Sequence, residues 1–487
     1  LNKPKERTIR GQIIIVACIC FAAFMCSLDG YIVNVALPDI AHSFGLNVSR
    51  ASIVTIAYLL SLTSMLIISG RLADCIGMKR MFITGLLLFT SGSLFCGISQ
   101  SFCILIASRI FQGIGSSILI SVSLANIYKY VDPEARGRAF GAISTCSGLG
   151  IALGAPLGGV ITGTFGWHWI FLINIPVGVL AMLVAIKFIP SDEPFKLKEK
   201  LDMIRQFDLT GAILIALSLI TFIGIMNLGL KVGWTSLIII LSSIISIVSF
   251  ISFIIWEQNN RNPLINMNLF RDRNFNLASV SNLTAFMVLS GTNFLLPFYL
   301  VIEKGYKAEE TGLIMLTFSA VYIVICPFAG WLADKIQPRY LCTAGMLIGV
   351  ISCMFFVKNV NTAGVQCIII YLMLLGLSYG LFMSSNNKMF MEFSTSETSG
   401  IVSATFKTVS YISFTLGISL FSLIFTLVLP EKMAISSGSV LQSSVNSSLI
   451  LHGFQNAFSF GALVCLISAI LFILIKNEPV KECVKTQ

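Results

Sequence analysis

GRLADCIGMKR, residues 70–80, and GWLADKIQPRY, residues 330–340, are two versions of one polar stretch in an otherwise apolar chain. Gly70 aligns with Gly330, Leu72 with Leu332, Ala73 with Ala333, Asp74 with Asp334, Ile76 with Ile336 and Lys79 with Arg339, each pair separated by 260 positions. Glycine lets helices approach and the chain turn tightly. An aspartate at a helix end accepts hydrogen bonds from a neighbouring helix N-terminus or pairs with a nearby arginine. A stretch repeated at this distance predicts two related halves, as in many secondary transporters.

The surroundings say what the halves are made of. The 487 residues are 56% hydrophobic and 11% charged, with a mean hydropathy of +0.90. Soluble domains carry roughly 25% charged residues. Apolar runs of about 20 residues recur, each long enough to cross a bilayer as a helix. A membrane barrel would show shorter alternating segments instead. The runs fall at 11–37, 51–70, 81–99, 102–127, 138–163, 167–187, 208–229, 234–256, 275–301, 311–330, 340–357, 364–386, 400–428 and 450–475, which predicts an all-α protein of fourteen spans. Pro38 is expected to mark the exit of the first. That first run is too long for a cleaved signal peptide. Both polar stretches then join the second and third helices of a six-helix block. The expected organisation is a six-helix bundle over residues 1–190, a linker with two inserted helices over 191–260, and a second six-helix bundle over 261–487.

Charge orients the chain. Twenty-four of the 32 Lys and Arg fall in the terminal segments and the connections on their side, and six in the opposite connections. The positive-inside rule puts both termini in the cytoplasm. The net charge of +10 is thereby an anchor beside anionic lipid, not a nucleic-acid surface. Most of the 13 cysteines lie in apolar runs and read as small hydrophobes. No metal-ligand spacing and no nucleotide-binding glycine loop is present.

Further motifs carry a resemblance. LDGYIVNVALP (28–38), RIFQGIGSS (109–117), GLGIALGAPLGG (148–159), GWHWIFLINIPVG (166–178) and NPLINMNLF (262–270) accompany the loop at Gly70–Arg80 in order and spacing. Together they resemble the major facilitator superfamily, specifically its fourteen-span drug:proton antiporters of the EmrB and QacA type. The resemblance implies the major facilitator fold. It links the fourth-helix motif to proton coupling and the fifth-helix motif to exporters. The second loop departs from the pattern, with Gln337 where the first has Gly77.

Three ionisable residues stand firmly within spans: Asp29, Arg109 and Lys407. An intramembrane charge is costly unless paired, hydrated or neutralised, and so marks function by default. Asp29 and Arg109 lie at similar depth, counted at 1.5 Å per residue. The implied fold puts their helices on one central cavity. Asp29 reads as the proton-binding carboxylate and Arg109 as its modulator; a static pair that only locks helices is the other reading. Gln112 shares Arg109's face and is expected in the substrate cavity. So are Asn282 and Asn293, close to three turns apart, with Phe286 on roughly their face. Lys407 joins a polar stripe with Tyr411. It either binds an anionic group, neutralises a coupling partner, or snorkels to the interface.

Gly70, Asp74, Gly77, Arg80, Asp334 and Arg339 are expected to gate the conformational change, with topology anchoring as the plainer role. Gly150, Gly154 and Gly158 form a close-contact ridge with Gly159 alongside, and Pro156 permits a bend. The ridge is expected where the two halves meet. The pattern favours a proton-coupled exporter of amphiphilic compounds in a prokaryotic cytoplasmic membrane. Export or flipping of a lipid, glycolipid or single metabolite is the alternative. No enzyme activity and no cofactor are expected. The expected partners are protons, an amphiphilic substrate and membrane lipids, for a monomer with or without accessory export proteins.

Overall fold

In hydrocarbon a backbone N–H or C=O finds no water, so an apolar run satisfies itself as a helix. The computed structural model describes residues 9–190, 208–233, 235–260, 270–333, 335–361, 364–392, 399–428 and 444–476, and these fold as helices and their connections. In chain order they are α1 (Ile9–Ser43), α2 (Val48–Ile76), α3 (Met78–Gly97), α4 (Phe102–Tyr130), α5 (Pro133–Phe165), α6 (Trp169–Leu172) and α7 (Asn174–Phe188). There follow α8 (Leu209–Val232), α9 (Leu237–Asn259), α10 (Arg273–Phe298), α11 (Ala308–Ala333), α12 (Pro338–Asn359), α13 (Val365–Glu392), α14 (Ser399–Leu427) and α15 (Ser444–Ile473). Thirteen spans among the described residues are long and apolar enough to cross a membrane, α6 and α7 counting as one. α8, which corresponds to the remaining predicted span, carries the shorter apolar stretch Thr210–Phe222.

Local chemistry sets several boundaries. Asn47 caps α2 by accepting from the Arg50 amide at 2.9 Å. Asp272 does the same for α10 through the Asn274 amide at 2.7 Å. Such caps satisfy N–H groups that the first turn leaves unpaired. Gly77 ends α2 and starts α3 with φ at 111°, a region that side chains with a Cβ avoid. Its counterpart Gln337 has φ of −55° ahead of Pro338. The two turns thus differ in backbone, which is why the second dispenses with glycine. Pro38 does not end the first span: α1 runs on to Ser43. Proline costs one backbone hydrogen bond, and Leu37 and Ile40 are wholly buried against neighbours that hold the helix together.

Helices α1–α7 pack among themselves, and so do α10–α15. The two groups meet along two principal seams, α5 against α11 and α2 against α14. The inserted pair α8–α9 is joined by Ser246 Oγ donating to Ser218 O at 3.1 Å and Ser218 Oγ to Ser246 O at 3.2 Å. α8 touches both α2 and α14, so it lies along the second seam, while α9 exposes residues such as Leu237, Ile238 and Ile247.

The glycine ridge on α5 does not lie where the halves meet. A Cβ on Gly150 would stand 2.6 Å from Phe24 O, on Gly154 2.7 Å from Tyr31 Cβ, and on Gly158 2.5 Å from Ile32 O. All three face α1, within the same half. A repeat of four residues fixes one helix face, and α1 covers it. Gly159, one position on, faces the other half: its Cβ would meet Ala308 O at 2.5 Å and Gly312 Cα at 2.6 Å. Pro156 is buried within α5.

Arg339 is not poised between halves either. Its Nη1 donates to Ile475 O at 2.5 Å, just past the end of α15. Lys79, its repeat partner, donates to Ile186 O near the end of α7 at 2.7 Å. In each half a cation therefore caps the carbonyl end of the last helix, where the helix dipole favours positive charge. Arg80 is exposed. The side chains of Gly70 and Asp74, and residue Asp334 altogether, lie outside the described residues, as do most of the linker and of the NPLINMNLF stretch.

Candidate functional site

Asp29 sits midway along α1, and helices from the same half surround it. Its Oδ2 accepts from Arg109 Nη1 at 2.6 Å, the one ion pair among the described residues. Its Oδ1 accepts from Gln112 Nε2 at 2.9 Å and from Asn174 Nδ2 at 3.1 Å. Gln112 Oε1 accepts in turn from Arg109 Nη1 at 2.6 Å, and Gln112 Nε2 also donates to Ser93 Oγ at 2.7 Å. Arg109 Nε donates to Val54 O at 3.3 Å. Asp29, Arg109 and Gln112 are each fully buried. Arg109 Nη2 has no hydrogen-bond partner among the described residues.

Close helix approach makes this possible. A Cβ at Gly113 would collide with Ser61 Oγ and stand 2.5 Å from Tyr58 O, so glycine there brings α4 onto α2. That contact lays the guanidinium of Arg109 over the Tyr58 ring, 4.2 Å from its centroid, a cation–π geometry. The Tyr58 hydroxyl donates to Cys26 O at 3.2 Å and lies 2.8 Å from Ser116 Oγ.

Tyr58 also belongs to the wall of the central cavity, a space of about 510 Å³ between the halves. Drug-sized ligands occupy pockets of roughly 300–1,000 Å³. Tyr31, Tyr322, Phe286, Phe406, Tyr411 and Phe414 supply aromatic surface, with Tyr31 and Phe414 in edge contact across the halves at 5.8 Å. Asn34, Thr55, Ser384, Asn387 and Lys407 supply polar groups. Towards the end of the bundle that bears the α2–α3 turn, Thr145 and Gly148 of α5 and Cys326 and Gly330 of α11 line the cavity. Towards the opposite end the same two helices touch at Gly159 and Gly312. The α5–α11 seam is thus parted at one end and shut at the other.

The structure brings Asp29 and Arg109 together but puts them behind the cavity wall, with Tyr58 between. Phe286, Lys407 and Tyr411 line the cavity. Gln112 does not, because its amide is consumed by Asp29, Arg109 and Ser93. Asn282 does not either: it donates to Ser410 Oγ at 3.2 Å and accepts from Asn386 Nδ2 at 2.8 Å, so it ties α10 to α14 and α13. Asn293 turns back to Leu289 O on its own helix at 2.9 Å. Lys407 is exposed and lines the cavity between the halves. Sequence reasoning missed Asn174 and Ser93, and it missed Asn34, which lines the cavity. An amide within the hydrocarbon run of α7 was the available signal for Asn174.

Known proteins share this architecture. A bacterial homologue of the human lysosomal transporter Spinster, solved in an inward-facing, occupied conformation, superposes with a TM-score of 0.69 at 14% identity, covering 96% of this chain and 97% of that one. The riboflavin transporter RibZ of Clostridioides difficile is 31% identical over 96% of this chain and 98% of its own length. The multidrug resistance protein Stp of Mycobacterium tuberculosis is 31% identical over 69% of this chain, which spans 62% of Stp. Residues 19–418 match the Major Facilitator Superfamily, and with two six-helix halves around a central cavity the chain belongs to that family of membrane transporters.

Proposed function

We propose that the protein is a proton-coupled exporter of amphiphilic aromatic compounds in a prokaryotic cytoplasmic membrane. The observation that carries this is the wholly buried Asp29–Arg109 pair, separated from a drug-sized cavity by one side chain, Tyr58. Five basic side chains of the described α2–α3 and α11–α12 turns and of α13, namely Lys79, Arg80, Lys335, Arg339 and Lys388, mark the parted end as cytoplasmic by the positive-inside rule. The cavity then faces inward, ready to load from the cell.

In this state three N–H-bearing side chains occupy the Asp29 carboxylate. Its oxygens become free for another partner when α1 and α4 shift and Arg109 withdraws. Rocking the halves would shut the cytoplasmic end, part Gly159 from Gly312 and expose the pair to the outside. Proton entry from outside and substrate release would then belong to one half-cycle. Coupling of this kind needs each ligand to favour one of two states.

The test is transport by vesicle-reconstituted protein under an imposed pH gradient. Asp29→Asn is expected to abolish gradient-driven accumulation while leaving substrate binding in place. Undiminished pH-driven transport by this variant would sink the proton role. A second reading, export of one polar aromatic metabolite, is favoured by the full-length match to a riboflavin transporter. A substrate panel separates the two: several unrelated amphiphiles transported supports the first, a single one the second.

A further inference from the structure

The charge of the cavity is one-sided. Among the described residues that line it, Lys407 is the one lysine or arginine, and no aspartate or glutamate joins it. The carboxylate of Asp29 is paired with Arg109 and walled off from the cavity. Lys407 makes no ion pair among the described residues. It stands about two turns into α14. Asn387, on α13, lines the same space.

A fixed cation in a space with low-dielectric walls attracts an anion and repels a cation. Aromatic rings such as Tyr322 and Phe414 also accommodate cations, but a ring quadrupole is weaker than a full like charge in the same cavity. Resting on the reading of the cavity as the transport site, we propose that it selects aromatic amphiphiles bearing a single anionic group, which docks on the Lys407 ammonium while Tyr31, Phe286 and Phe414 hold the ring body. A cavity lysine with no ion pair among the described residues is completed by its substrate.

Three probes that share one fluorophore test this: N-dansylglycine, an anion; dansylamide, which is neutral; and dansylcadaverine, a cation. Binding is followed by dansyl fluorescence with purified full-length protein in nanodiscs, after subtraction of protein-free discs. The expected order is dansylglycine, then dansylamide, then dansylcadaverine, with steps of about tenfold, the size of a 1.4 kcal/mol difference. Lys407→Gln is expected to erase the preference for dansylglycine while keeping dansylamide binding, and Lys407→Arg to preserve it. Dansylcadaverine binding tightest, or an order unchanged in a Lys407→Gln protein that still binds dansylamide, would overturn the anion proposal and leave the cavity reading intact. Binding of none of the three by the wild-type protein would overturn the cavity reading and the proposal with it. Should Lys407→Gln fail to fold, the order of the three probes on wild-type protein decides alone.

Discussion

A carboxylate in a membrane interior survives by being surrounded, and Asp29 shows what that takes. Arg109, Gln112 and Asn174 each donate to it, while Ser93, Val54 and Tyr58 hold the donors in place. Removing one member of a buried ion pair leaves the other uncompensated, at a cost of about 3–5 kcal/mol. Arg109→Ala is therefore expected to destabilise strongly in detergent unfolding. Asn174→Ala removes one hydrogen bond to a charged group and is expected to cost about 1.5–3 kcal/mol; an unchanged unfolding midpoint would show that Asn174 is dispensable. The sequence made the Asp29–Arg109 match legible, because counting residues along two spans gives depth. It left Asn174 unread, since depth and periodicity do not tell which amide turns to a carboxylate 145 positions away.

Neighbouring glycines of α5 face different neighbours, so they fail in different ways. Gly154→Val inserts bulk where a Cβ already stands 2.7 Å from Tyr31 Cβ. Overpacking of this kind costs typically about 1–3 kcal/mol, and the loss is expected in thermal stability. Gly159→Val inserts bulk between α5 and α11. It is expected to hold the closed seam apart and populate the outward-open state. Spin labels placed at the exposed positions Thr164 and Leu313 would report a longer distance for Gly159→Val and the wild-type distance for Gly154→Val. Identical distributions in both would remove the Gly159–Gly312 contact from the gating scheme. The ridge was visible in the sequence as a spacing of four. Which helix it met was not, because a stripe of small residues admits any close neighbour.

For the whole molecule the two repeats impose a common plan with local exceptions. Lys79 and Arg339 cap the last helices of their halves, whereas Gly77 and Gln337 turn the chain by different backbones. The proposed orientation rests on the distribution of charge. A fluorescent protein fused to the C-terminus is expected to fold and fluoresce, and alkaline phosphatase inserted after Lys231 or Lys358 is expected to be active. Phosphatase activity from the C-terminal fusion would reverse the assignment. With this orientation an inside-negative potential assists the export of a monoanion by about 2.3 kcal/mol per 100 mV. An anionic substrate of the kind proposed for the Lys407 cavity would thus leave with the field rather than against it.

The sequence alone determined the helical membrane class, the succession of apolar spans, the division into two related halves and the similar depth of Asp29 and Arg109. These depend on length, hydropathy, offset and depth, which are properties of single segments or of their order. Only the tertiary structure decided that Gln112 and Asn282 are spent within the protein, that the α5 ridge grips α1, and that Tyr58 separates the ion pair from the cavity. Those facts depend on which faces of different helices meet. A helix sequence gives the angle between its own side chains, but the neighbour at that angle is set by how all the helices pack at once.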